Sequence, residues 1–156
     1  MGVELATPRT RRFNRKSVRT YFYSLLDYLG LPRIPLYARE EPTSSEDDAW
    51  GIFNLDKNKE PYIVLWKDGW TSSIIKHEVI HYLQFLLYGE KFLYVVSDPD
   101  PYELEAEALE NLSRVRLKKY VNSRLIIRDL QKGHSDDGST PYCPCSCQRS
   151  YLASSV

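Results

Sequence analysis

The run from Thr71 to Gly89 constrains this chain most, because it is a helix with chemistry written along one edge. Thr71, Ser72 or Ser73 can cap its first free amides, and Gly89 stops it after Tyr88. Ile75, Val79, Leu83 and Leu86 recur at helical spacing, an apolar stripe expected to pack inward. At the rim of that stripe His77 and His81 stand one turn apart, with Glu78 directly after the first. Residues four apart on an α-helix share a face, so the two imidazoles can close on one metal ion. Glu78, turned about 100° away, can reach a water held there. This is the H-E-x-x-H spacing of zinc hydrolases.

The flanking segments predict an α+β fold. Val18, Phe22, Leu25, Leu26 and Leu29 make residues 15 to 29 an amphipathic helix ended by Gly30 and Pro32. Residues 33 to 39 read as extended, and Pro35 places that strand at an edge or keeps it short. Ala49 to Leu55 and Tyr62 to Trp66 are β-prone runs joined by turn residues from Asp56 to Pro61, an antiparallel hairpin. Beyond a short apolar connector from Phe92 to Val96, Asp98-Pro99-Asp100-Pro101 starts a further helix. Leu104, Ala108, Leu112 and Val115 carry it at least to Tyr120 and as far as Leu130. The expected organisation is a basic extension over 1–14, a domain over 15–132 and a flexible cysteine-containing tail over 133–156.

Catalytic zinc takes three protein donors and leaves a fourth position for water, so a third ligand is needed. The remaining histidine, His134, is in the tail, whereas Glu103, Glu105 and Glu107 cluster on the next helix. The segments His77-Glu78-Val79-Ile80-His81 and Glu103-Leu104-Glu105-Ala106-Glu107 resemble those of the gluzincin metallopeptidases, in which a ligand glutamate follows H-E-x-x-H on a later helix, often within E-x-x-A-D. The resemblance spans roughly Ala49 to Tyr120 and implies a minimal zincin-like domain. Such a domain sets a small antiparallel sheet on an N-terminal helix, the H-E-x-x-H helix and a glutamate-bearing helix. It also implies one catalytic Zn²⁺ held by His77, His81 and Glu103, with Glu78 as general base in peptide hydrolysis. The family's histidine-orienting aspartate falls on Glu107, a longer acid.

A second account of Glu103 competes, because Asp100-Pro101-Tyr102-Glu103 also reads as a capping box. With Glu103 committed to the helix end, Glu107 becomes the ligand one turn on, with Asn111 to orient a histidine. Glu105 points about 200° away from Glu103 and is expected in solvent. Donors for the developing oxyanion are Tyr82, Tyr88, Tyr94, Tyr102 and His134. Substrate is expected as an added strand along Tyr62 to Leu65 or Trp50 to Phe53.

Charge adds limits. The 21 basic residues balance the 21 acidic ones, so the overall field does not favour nucleic acid or an anionic membrane as main partner. Basic runs from Arg9 to Arg19 and from Arg114 to Lys132 leave nucleic-acid association with a structural zinc as one alternative. A zincin-like binding or regulatory protein without turnover is another. Cys143, Cys145 and Cys147 are too close and too few for a disulfide framework, which together with the lack of a leader or apolar span suggests a cytoplasmic protein. A second metal at these cysteines, reactive or lipid-modified thiols, and a plain tail are the readings of that segment.

Overall fold

A computed structural model describes residues 11–42, 50–95 and 97–136, with side chains described as far as residue 130. Helix α1 (Arg15–Leu29) starts at Asn14, whose side chain accepts the Ser17 amide while the Ser17 hydroxyl accepts the Asn14 amide, each at 2.9 Å. It ends at Gly30 with φ 75°, the left-handed conformation that costs glycine least. Val18, Phe22, Leu25, Leu26 and Leu29 are all buried, as the spacing predicts.

Strands β1 (Leu36–Arg39), β2 (Gly51–Leu55) and β3 (Pro61–Trp66) form one sheet in the order β1-β3-β2. The expected hairpin is present: β2 and β3 are antiparallel, with Gly51 opposite Leu65 and Phe53 opposite Ile63. The sheet as a whole is mixed, not antiparallel throughout, because β1 pairs parallel to β3. In β3 the buried Ile63 and Leu65 alternate with half-buried Tyr62, Val64 and Trp66, the signature of a sheet with one face on the core.

Helix α2 (Ser72–Tyr88) begins at Thr71, whose hydroxyl accepts the Ile74 amide. Its stripe of Ile75, Val79, Leu83 and Leu86 is buried, but so are Ile80, Tyr82, Gln84 and Phe85. It is the central helix of the domain, walled on several sides, and not a surface helix with one apolar face. Residues before α1 are tied to its start: the Arg11 amide donates to the Ser72 hydroxyl, the Ser72 amide to the Arg11 carbonyl, and Arg12 bridges Thr71. Residues 11–14, placed in the basic extension from sequence, are thus joined to the folded body.

The helix expected to run unbroken from Pro101 is two helices. Helix α3 (Pro101–Leu109) ends at Glu110, and α4 (Arg114–Asp136) starts after Ser113, whose hydroxyl accepts the Arg116 amide. Lys76, buried in α2, donates to the Leu112 carbonyl at 2.7 Å and anchors this break. The stripe read from sequence is out of phase: Leu104 and Val115 are half exposed, at 50% and 56%, whereas Ala106, Leu117 and Val121 are buried. Helix α4 passes the boundary drawn at residue 132, and the three cysteines lie outside the described residues.

Candidate metal centre

Three elements converge on a cleft of about 750 Å³: β2 with Trp50 to Phe53, α2 with His77, Glu78 and His81, and α3 with Tyr102, Glu103 and Glu107, closed by Glu110. Packing fixes the two histidines, because α2 carries them mid-helix between residues that are buried on either side. His77 Nε2 and His81 Nε2 lie 3.2 Å apart. Two imidazoles bound to one ion at about 2.0–2.1 Å with tetrahedral angles would sit about 3.3 Å apart, so the pair already has a chelating geometry. Glu103 faces both, with Oε1 2.7 Å from His77 Nε2 and Oε2 3.2 Å from His81 Nε2. One donor atom from each of the three falls within 4.8 Å of the others, a group able to hold a metal ion.

The Glu103 carboxylate is not used in the cap of α3. Asp100 caps α3 by accepting the Tyr102 amide at 2.9 Å, while the Glu103 carboxylate is turned to the histidines. Glu107 lines the cleft but is exposed and outside the donor group.

The outer nitrogens are held as well. His77 Nδ1 donates to Glu110 Oε2 at 2.7 Å. His81 Nδ1 lies 2.7 Å from Gln84 Oε1. Gln84 is fully buried, and its amide nitrogen donates to the Tyr102 carbonyl and to Glu105 Oε1, so its oxygen must face the histidine as acceptor. Glu105 also accepts from the Tyr120 hydroxyl. Both Nδ1 atoms are thus engaged by partners behind the rings, and both Nε2 atoms are turned to the shared point with Glu103.

Three expectations change here. Glu105 is not in solvent but joins Gln84 and Tyr120. The residue that orients His77 is Glu110, not Glu107, and Asn111 is exposed. Glu110 lies two turns beyond Glu103, a spacing that keeps both on one face, so the sequence held this signal. Gln84, three residues after His81, had no comparable signal, because its role depends on the α3 groups that it meets.

Electrostatics separate the carboxylates. Hydrogen bonding to His81 holds Glu103 down to about 2, with the charges of His81 and His77 adding to it and burial opposing. Burial pulls His81 down, but its bond to Glu103 and the nearby Glu78 charge outweigh it, and the imidazole is raised above its ordinary value. Glu78 moves the other way from Glu103: desolvation raises it, opposed by His81, His77 and the Phe53 amide, which donates to its carboxylate. A raised carboxylate beside a depressed one separates a proton carrier from an ion-binding group.

Of the tyrosines considered as oxyanion donors, Tyr102 lines the cleft. The Tyr82 hydroxyl is committed to the Pro32 carbonyl, Tyr88 meets Arg124, and Tyr94 borders a separate pocket. The His134 side chain lies outside the described residues. Strand order also separates the two candidate substrate edges: β3 is central, whereas β2 is an edge and borders the cleft. Among the described residues no helix is long and apolar enough to cross a membrane.

No family model, curated protein or solved structure matches this chain.

Proposed function

We propose that this protein is a zinc-dependent metallopeptidase of gluzincin type, with His77, His81 and Glu103 as metal ligands and Glu78 as general base. The observation that carries this reading is the convergence of two oriented imidazoles and one carboxylate beside a buried glutamate and an open strand edge. Two nitrogens and one oxygen suit zinc and match the three-ligand set that leaves a position open for chemistry. A zinc ion bound there would supply Lewis-acid activation of a water molecule and of the substrate carbonyl.

The protein's own groups do the rest. Glu78, kept basic by burial, takes a proton from the water as its oxygen bonds to the carbonyl carbon. When the carbon–nitrogen bond breaks, Glu78 passes that proton to the leaving amine. Tyr102 is the phenol in the cleft available to donate to the developing oxyanion. An extended substrate pairs with the outer edge of β2, whose other edge is taken by β3.

The test is cleavage of an unfolded protein by the zinc-loaded chain and by Glu78→Gln. The variant should keep its zinc and lose about 10²–10⁴-fold in rate. Equal cleavage by both would refute Glu78 as the base, and cleavage by neither would favour a binding protein without turnover.

A second reading, nucleic-acid association, draws on one feature. Arg11 lies over Phe13, Phe13 stacks on Tyr21, and Arg114 lies over Tyr21 and Tyr28, which brings the two basic segments together. A salt-dependent shift of single-stranded DNA, lost in Arg114→Glu, would support it.

A further inference from the structure

Strand β2 encloses Glu78 as well as bordering the cleft. The Trp66 amide donates to the Trp50 carbonyl across the β2–β3 ladder, so alternation along the strand turns the peptide groups of Gly51 and Phe53 to the open edge. There the Phe53 amide holds the Glu78 carboxylate. Two residues earlier, a Cβ on Gly51 would lie 2.9 Å from Leu65 Cδ2, 3.0 Å from Glu78 Cγ and 3.2 Å from Ile74 Cγ2. Ile74 is half-buried at the cleft, but the two nearer neighbours have no room to give. Leu65 is fully buried opposite Gly51, and Glu78 is 5% exposed.

We propose that Gly51 is a positioning residue for Glu78: its bare Cα makes the space in which the Glu78 side chain lies, while the Phe53 amide two residues on fixes the carboxylate. This rests on the reading of Glu78 as the base, and extends it to a residue that touches neither metal nor substrate carbonyl in that role. A methyl group at position 51 must displace Glu78 Cγ by a few tenths of an ångström, and a carboxylate pinned at its far end then tilts. Misplacing a reacting group by about 1 Å can cost about 10²-fold in rate, so a smaller tilt should cost about 10-fold. The rival explanation is that glycine only lets Leu65 pack, in which case Glu78 would not respond.

The test has a readout that needs no activity. In amide spectra of the metal-free protein, Gly51→Ala should shift the Phe53 amide proton upfield and speed its exchange at least about 10-fold, as Glu78→Ala should, because that amide faces away from β3 and Glu78 is the partner that holds it. Ile52 and Asn54, which face β3, should keep their exchange rates. Adding Leu65→Val to Gly51→Ala relieves the leucine contact and provides a second folded variant, which should show the same Phe53 change. In the zinc-loaded protein, kcat for a fluorogenic peptide should fall about 10-fold in Gly51→Ala with zinc content unchanged. In a Glu78→Ala background the same substitution should change the rate less than about 2-fold. A Phe53 amide unmoved by Gly51→Ala, or cured by Leu65→Val, overturns the proposal. A Phe53 change in a chain that cleaves no peptide would retain Gly51 as the support of Glu78 and refute the peptidase reading instead.

Discussion

Each histidine of the centre is held at both ring nitrogens, and its contribution depends on the residue behind it. Glu110 fixes His77 through Nδ1. Removing it by Glu110→Ala should weaken zinc affinity about 10–100-fold, measured by competition with a chelator, while the protein stays folded. Without metal, the Glu103–His81 pair makes stability depend on pH in a definite window. Glu103 is held down to about 2 from an ordinary 4.5, so its contribution is present above about pH 4.5 and lost as pH falls toward 2. His81 is raised above an ordinary 6.5, so its contribution is full below about pH 6.5 and lost as pH rises through the raised value. The difference in Tm between the metal-free wild type and Glu103→Gln should therefore be greatest between about pH 4.5 and 6.5. A difference that keeps growing into alkaline pH would show that the pair is not ionic.

The elements that place these residues differ in how plainly the sequence announced them. Helix α1 and helix α2 are legible in their spans and C-terminal ends, because Gly30 and Gly89 stop them and their apolar spacing is regular, whereas the caps at Asn14 and Thr71 are fixed only by the structure. The β2–β3 hairpin was legible from Asp56, whose carboxylate accepts the Asn58 and Glu60 amides in the turn. The break between α3 and α4 was not, since Leu112 and Val115 continue a helical period across it. At the break Lys76 reaches the Leu112 carbonyl from another helix and Ser113 caps α4, and apolar periodicity within one segment carries no trace of either. Local signals therefore picked out the two histidines and the glutamate cluster, while contacts between helices decide which glutamate faces the histidines. Lys76→Met should leave the Leu112 carbonyl without its donor, costing about 1–3 kcal/mol in urea unfolding. Because Glu110 sits in this turn, zinc affinity should fall as well; unchanged affinity would mean that the turn holds its shape without Lys76.

At the scale of the molecule, one core joins the sheet to α1, α2 and α4 and supports the centre from beneath. Phe22, Leu26, Ile63, Leu65, Ile80 and Leu83 belong to it, and Leu83 lies one turn past Val79 on the helix that carries the histidines. Leu83→Ala should cost about 2–5 kcal/mol in denaturant unfolding. Saturating zinc should recover part of that loss, since an ion that binds the folded chain shifts the equilibrium toward it. The central claim is that the three side chains brought together from α2 and α3 form one zinc site. Zinc equivalents bound after dialysis, measured side by side for the wild type and His77→Ala, test it most directly. The account predicts one equivalent in the wild type and none in the folded variant; a full equivalent retained by His77→Ala would contradict it.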